Sequence, residues 1–446
     1  MSIEIRAIGG YGEVGKNMTA VRVDDEVIIC DMGLHMPNYI KYTEEEGEDV
    51  VKIKADDLIK VKAVPNPEMI SDWKDMVKAI IPTHAHLDHV GAIPYIADRF
   101  DAPVICTPYT GAVLRAILKD EKIKIRNEIK ILNPNAFLKI SDKITIEFIS
   151  VTHSTPQTVM IAIHTKHGVI LYATDFKFDN NPVIGKKPNY EALEAIGRKG
   201  VLVALVDSLY APEDGKSPSE LVAKELLRDV LLGVDSRGKA VIVSTFSSHI
   251  ARLKSIIEFG HKLNRKIVFL GRSLAKYIDA AAEVNIAHLE KEGEVCRFAR
   301  QVARKLKEIE KKGPEKYLII ATGHQGEPKS VLSRMTTGVL PFHFEHEDHV
   351  VFSCKIIPTQ INKAYREILE NNLKSKGVRI FKDVHVSGHC YKEDMRDLLK
   401  YTKPEHIIPI HSEKRCMDAF TELGLEMGYK EGKTVHQLLN GQSLIL

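Results

Sequence analysis

The sequence predicts an α/β protein of more than one domain. Three features predict it. Apolar strand-like runs recur, and several end on a histidine or carboxylate, as at 77–81 before His84 and 201–206 before Asp207. From residue 207 the chain alternates strand and helix, which is the pattern of a parallel sheet. Finally, 446 residues at 44% hydrophobic content are more than one ordinary domain requires.

Taken in order, residues 3–8 alternate as a strand and lead into Gly9-Gly10-Tyr11-Gly12-Glu13-Val14-Gly15-Lys16-Asn17. Gly10, Gly12 and Gly15 satisfy a dinucleotide-type GxGxxG. Gly10, Gly15 and Lys16 satisfy most of a P-loop, with Asn17 where Ser or Thr would hold magnesium. Both patterns need a helix next, so that its N-terminus meets phosphate. Residues 18–23 are strand-like instead, so the stretch is expected to be a glycine-rich hairpin turn. Residues 26–30 form another strand, ended by Asp31, a candidate anchor for a metal-binding histidine. Residues 36–75 read as a charged surface insertion, with a short strand at 50–53 and Trp73 at its end.

Thr83-His84-Ala85-His86-Leu87-Asp88-His89 follows the strand at 77–81. Histidines two apart share a direction on extended backbone and diverge on a helix. His84 and His86 can therefore hold one ion only from a strand end or loop. Asp88 and His89 follow where a helix is expected over 90–98, bent or broken by Pro94, and they can face a second ion. No HExxH helix is present, which excludes the zinc-protease pattern. Further on, strands are expected at 104–106, 123–131, 136–140 and 144–150, with a helix at 110–119. His153 follows the strand at 144–150 as a third ligand. A hairpin at 159–164 and 168–172 ends on Asp175, whose two oxygens can bridge two ions. The cluster alone leaves hydrolases and redox proteins open.

Past Asp207, helices are expected at 218–232, at 250–261 and after Gly271. Strands are expected at 239–244, 266–270, 317–322 and 350–354. Ser, Thr, His, Arg and Gly follow these strands, and such groups suit phosphate. His343, His346 and His349 lie in a charged stretch read as a solvated turn, not a metal site. A strand at 380–384 precedes His385-Val386-Ser387-Gly388-His389. Then come a helix at 392–400, a strand at 404–410 ending on His411, a helix from Lys414 and a small terminal β element.

Composition narrows the class. A formal charge of +3 gives little long-range field, so nucleic acid would need a local basic groove. No apolar run approaches the roughly 20 residues of a bilayer span. Cys30, Cys106, Cys296, Cys354, Cys390 and Cys416 are dispersed without a CxxC pair, which argues against a zinc ribbon or disulfide framework and predicts a cytoplasmic setting.

The series Asp31, His84-x-His86-x-Asp88-His89, His153, Asp175 resembles the metallo-β-lactamase fold, a four-layer αβ/βα sandwich. Asp207, His389 in Ser-Gly-His and His411 in Pro-Ile-His-Ser-Glu resemble the three motifs of β-CASP nucleases. Within that group the chain is similar to the ribonuclease J family in its short, archaeal-type form. The stretches from Gly12 to Met18, Thr245 to Ser248, Gly271 to Ser273 and Thr322 to Pro328 carry that likeness. The resemblance implies a metallo-β-lactamase domain at 1–206, a β-CASP insert at 207–383 and a return segment at 384–446, with no large domain after it.

The resemblance also implies a site. His84, His86 and His153 would hold one zinc ion, and Asp88, His89 and His411 a second, with Asp175 bridging. An iron-type site of this fold would have glutamate at position 86, so histidine there favours zinc. The candidate catalytic set is Asp31, Asp88, Asp207 and His389. Asp31 would orient a ligand, Asp207 a late histidine, and His389 would bind phosphate or protonate the leaving 3′-oxygen. The implied activity is hydrolysis of single-stranded RNA to 5′-phosphate products, mainly 5′ to 3′ from a monophosphorylated end, with internal cleavage also expected. Ser247, Ser248, His249, Ser387, Gly388 and His389 are the candidate substrate-binding residues. A homodimer is expected. The alternatives are a β-CASP nuclease of RNA 3′ ends or DNA, a small-molecule hydrolase of the same fold, and a non-catalytic RNA-binding scaffold.

Overall fold

The computed structural model describes residues 3–45, 53–357 and 359–446. They form two compact units, one of Met1–Asn180, Lys186–Ser217 and Gly388–Leu446, the other of Asn181–Gly185 and Pro218–Ser387.

The first unit holds two sheets. The seven-stranded sheet runs in the order Ser443–Ile445, Ile3–Gly9, Met18–Val23, Glu26–Cys30, Val77–Ile81, Val104–Cys106 and Ile129–Ile131. Its first three pairings are antiparallel and its last three parallel. The six-stranded sheet runs His406–Ile410, Val201–Asp207, Gly168–Ala173, Val159–Thr165, Thr145–Ser150 and Phe137–Lys139. Its first two pairings are parallel and the others antiparallel.

Alternation along the strands explains the layering. Ile161, Ile163, Ile170, Tyr172, Val203 and Leu205 join Ile5, Val21, Ile28 and Ile81 in the core between the sheets. Their neighbours Met160, Ala162, Leu171, Ala204 and Val206 face the other way, onto Leu193, Ile196, Met395, Leu398 and Phe420. Those residues belong to the helices Tyr190–Lys199, Lys392–Thr402 and Lys414–Glu426. A strand buried on both faces reads as one continuous apolar run, which is the character of Val201–Asp207.

The second unit is built on a parallel sheet, as expected. Its order is Gly293–Cys296, Lys266–Leu270, Tyr317–Ala321, Val241–Ser244, His349–Phe352 and Arg379–Phe381.

Several expectations change. Residues 36–75 include the helices Met36–Glu45 and Ala55–Lys60 and the 3-10 segment Pro67–Met76. Of the strand expected at 50–53, residues 50–52 lie outside the described residues, and Ile53 is not in a strand. Trp73 is buried, with the Arg6 guanidinium 3.7 Å from its ring centroid. Only Ile129–Ile131 of 123–131 is strand. The Asn127 side chain there donates to the carbonyls of Phe100 and Ala102, which holds the preceding residues as a loop. The helix expected at 90–98 is split into Leu87–Val90 and Ile93–Ile96, because Pro94 starts the second helix and does not bend a single one. The turn before His349 is only partly solvated. Asp348 is buried and accepts from the amides of Ala240 and Glu345, and His349 is buried in its strand.

Candidate metal centre

Six strands of the first unit end beside one cluster. Glu26–Cys30 delivers Asp31, Val77–Ile81 the loop from Thr83 to His89, Thr145–Ser150 His153, Gly168–Ala173 Asp175, Val201–Asp207 its own last residue, and His406–Ile410 His411. Asp31, Asp175 and His411 all have left-handed backbone, with φ of 59°, 33° and 56°. Non-glycine residues adopt this at a cost, and such positions collect at functional sites. The conformation turns the chain sharply as it leaves each sheet. Gly33 serves the same end. A β-carbon there would lie 1.6 Å from the Asp88 carbonyl oxygen, so only glycine lets the two loops meet.

The cluster falls into overlapping groups around Asp175. His84, His86, His153 and Asp175 converge, as do Asp88, His89 and His411, and as do Asp175, His389 and His411, each group with its candidate ligand atoms within 4.8 Å of one another. Asp175 Oδ2 lies 3.4 Å from His84 Nε2 and 3.5 Å from His153 Nε2. Its Oδ1 lies 3.3 Å from His89 Nε2 and 3.7 Å from His411 Nε2. The two oxygens thus divide between the first two groups.

Each histidine is aimed by what its other nitrogen donates to. His89 Nδ1 donates to Asp31 Oδ2 at 2.7 Å, and His153 Nδ1 to the Gly388 carbonyl at 2.7 Å. His411 Nδ1 donates to Asn17 Oδ1 at 2.9 Å, and His84 Nδ1 to Thr83 Oγ1 at 3.0 Å. The Thr83 hydroxyl in turn donates to Asp31 Oδ1. In all four, Nε2 is left as the ligand atom facing the centre, an arrangement that fixes tautomer and ring direction at metal sites. His86 instead turns Nδ1 inward, 3.1 Å from both His84 Nε2 and His153 Nε2. Burial pushes the pKa values of His84, His86 and His153 down, that of His86 to about 3, and the neutral imidazole is the form that ligates.

The donor set is nitrogen and oxygen without thiolate, which fits a divalent ion such as zinc. Asp175 Oδ1 is buried and makes no hydrogen bond among the described residues. A buried carboxylate oxygen left in that state is costly unless a cation meets it.

His389 lies beside the first group. Its Nδ1 donates to Asp207 Oδ2 at 2.8 Å, its Nε2 is 3.8 Å from Asp175 Oδ2, and its ring stacks on His411 at 5.7 Å. Burial opposes its charge, but Asp175, Asp207 and the hydrogen bond to Asp207 hold its pKa up to about 9.

The sequence reasoning missed Asn17 and Thr83. Asn17 stands where a P-loop would carry Ser or Thr. Its side-chain amide accepts from His411 and donates to the Asp88 carbonyl at 3.0 Å, so it ties two sides of the second group together. An amide carries its donor and acceptor on separate atoms, so it can reach both partners at once. The expected hairpin turn is confirmed, since strand Met18–Val23 and not a helix follows.

The other candidate residues sit in the second unit, apart from Gly388, whose carbonyl serves His153. Ser247, Ser248, His249 and Ser387 are all buried. Ser247 Oγ pairs with Ser273 Oγ at 3.0 Å, and His249 Nε2 lies 3.3 Å from Glu220 Oε2. The helix Ile250–Lys262 takes His249 as its N-cap residue and has no side-chain cap bond. Helix capping therefore does not account for Ser247.

Three family models match in succession: the metallo-beta-lactamase superfamily over residues 74–212, the ribonuclease J beta-CASP domain over 238–371, and the Zn-dependent metallo-hydrolase RNA specificity domain over 378–436. Ribonuclease J of Methanocaldococcus jannaschii is 45% identical over 445 residues, covering 100% of this chain and 99% of the relative. Ribonuclease J of Pyrococcus abyssi is 41% identical, covering 98% and 96%. A crystal structure of a protein of unknown function from Enterococcus faecalis V583 shares the fold over 100% of both chains, at a TM-score of 0.65 and 16% identity. With two archaeal relatives matched along nearly their whole length, the chain belongs to the ribonuclease J family of metallo-β-lactamase, β-CASP proteins.

Proposed function

We propose that this chain is a zinc-dependent ribonuclease that hydrolyses single-stranded RNA, mainly 5′ to 3′ from a 5′-monophosphate, with internal cleavage as a second mode. The observation that carries the reading is the division of Asp175 between two ligand groups with His389 alongside. His84, His86 and His153 would hold one ion, Asp88, His89 and His411 the other, and Asp175 both. Ions held there supply Lewis acidity to a phosphoryl oxygen and make water nucleophilic near neutral pH.

The chain's own groups do the rest. Asp31, Thr83, Asn17 and the Gly388 carbonyl hold four imidazoles in direction. Asp207 orients the His389 ring, whose Nε2–H would bind the scissile phosphate or protonate the leaving 3′-oxygen. The products are then a 5′-phosphate and a 3′-hydroxyl. Ser247, Ser248, His249, Ser387 and Gly388 are proposed to receive the terminal phosphate. The dispersed cysteines support a cytoplasmic setting, and a homodimer is proposed, to be tested by light scattering.

The deciding experiment combines zinc content with digestion of 5′-labelled RNA. Release of mononucleotides from 5′-phosphorylated single strands supports the reading. Two equivalents of zinc with no RNA cleavage would favour a small-molecule hydrolase of the same fold.

A further inference from the structure

The helix Ala299–Lys312 of the second unit carries one face of unmixed positive charge. Its buried residues Val302, Leu306 and Ile309 join the core that holds Val268, Leu270 and Ile319 of the parallel sheet. On the opposite face stand Arg300, Arg304, Lys307 and Lys311, all exposed. Spacings of four, three and four residues keep them within about 60° of one another around the axis and spread them over about 16 Å along it.

No acid balances this row. The helix has two acids, and both are committed on its flanks. Glu308 pairs with Lys305 at 3.2 Å and Lys312 at 2.8 Å. Glu310 accepts from the His343 amide at 2.9 Å and lies 3.2 Å from its Nδ1. The four exposed cations make no ion pair among the described residues. Such a face works against the helix that carries it. Like charges three and four residues apart repel, and Arg300 lies in a first turn with no acid to offset the positive end of the helix dipole. A face that meets only water ordinarily mixes its signs. One sign held at four successive positions breaks a local rule for stability, which a binding role explains.

We infer that Arg300, Arg304, Lys307 and Lys311 bind the phosphate backbone of an RNA segment, one phosphate to each cation, without reading its sequence. The formal charge of the whole chain is only +3, so attraction for RNA has to be local, and this row supplies it. The inference rests on the ribonuclease reading. It adds a contact along the RNA chain, made by residues that take no part in hydrolysis or in holding the terminal phosphate.

The test compares wild type with the quadruple variant Arg300→Gln, Arg304→Gln, Lys307→Gln, Lys311→Gln. Glutamine is as good a helix former as lysine or arginine, and the change removes the repulsion, so the helix is kept. Binding to a long, unstructured 2′-O-methyl RNA and to a hairpin of the same length is followed by fluorescence anisotropy across a range of salt concentrations. Four phosphate contacts contribute about 2.8 to the slope of log K against log salt on a single strand and about 3.6 on a duplex. The quadruple variant should lose that much on whichever form the helix holds. Arg300→Lys with Arg304→Lys should keep the full slope, since charge alone is read. Slopes unchanged on both RNAs would overturn the contact, and RNA cleavage retained by the same variant would leave the ribonuclease reading standing. Wild-type protein that binds RNA without cleaving it would sink the ribonuclease reading alone, and no binding of either RNA by wild type would sink both.

Discussion

Replacing Asp31 by asparagine removes one bond at the metal centre and spares its neighbours. Asp31 Oδ1 accepts from the Thr83 amide at 2.7 Å and from the Thr83 hydroxyl at 3.0 Å. Asparagine can keep both with its oxygen. Its NH2 then faces His89 Nδ1, which in the native chain donates to Oδ2 at 2.7 Å. Two donors cannot pair, so His89 must move or shift its proton to Nε2. That nitrogen is the one 3.3 Å from Asp175 Oδ1 and 3.6 Å from Asp88 Oδ2, and once protonated it cannot ligate.

Loss of such an outer partner costs about 10- to 100-fold in metal affinity. Asp31→Asn should therefore weaken one of two zinc sites by that factor and leave the other unchanged, because His84 is still aimed through Thr83. Asp31→Ala removes the Thr83 anchor as well and should weaken both. Competition titration of each variant against a fluorescent zinc chelator reads the two sites separately. If Asp31→Asn kept both affinities within two-fold of wild type, Asp31 would not orient His89 and the account of the second group would be wrong.

Four further outcomes follow from distances in the structure. His389→Ala should lower the rate of RNA hydrolysis by about 100-fold or more, as for loss of a general acid, while zinc measured by elemental analysis stays at two per chain; loss of both ions would make His389 a ligand. Gly388→Ala would place a β-carbon 2.9 Å from His153 Nδ1, so the first site should lose affinity in the same chelator titration. Ser247→Ala should reduce the preference for 5′-monophosphorylated over 5′-hydroxyl RNA by about ten-fold, the worth of a hydrogen bond to a charged group, and an unchanged preference removes Ser247 from the pocket. His385 faces Arg252, His249, Glu220 and Lys355, and burial and Arg252 depress its pKa to about 2, against about 6.5 in an unfolded chain. The unfolded state then takes up the proton first. Its share of stability is full above pH 6.5 and falls as pH drops, by about 1 kcal/mol between pH 7.5 and 5.5, and urea titrations of His385→Asn should show that much less loss.

The candidate ligands were legible because metal chemistry restricts residue type and spacing. His84 and His86 two apart excluded a helix, and the structure places both outside one. The placing of Asp175 between the two groups followed from its position after an apolar strand. Asn17, Thr83 and the Gly388 carbonyl were not legible, since each has a partner distant in sequence, 394 positions away for Asn17 and His411 and 52 for Thr83 and Asp31. A backbone carbonyl such as that of Gly388 carries no residue signature at all. The left-handed backbone at Asp31, Asp175 and His411 was hidden for a related reason, because aspartate and histidine there read as site residues and not as residues chosen for a left-handed conformation.

Parallel pairing explains why residues so far apart in sequence meet. Gly168–Ala173, Val201–Asp207 and His406–Ile410 are parallel neighbours, with Ala173 opposite Val206 and Asp207 opposite Ile410. Their carboxyl ends therefore lie side by side, and Asp175, Asp207 and His411 emerge at one edge. Cys30 opposite Ile81 does the same for Asp31 and Thr83 in the other sheet. An antiparallel partner at any of these places would carry its last residue to the opposite edge. Register is equally strict, since a slip of one residue would exchange Val203 and Leu205 with Ala204 and Val206 between the inter-sheet core and the helix-covered face. The apolar pattern that packs the two sheets is thus also what sets the spacing between Asp175 and the histidines on either side of it.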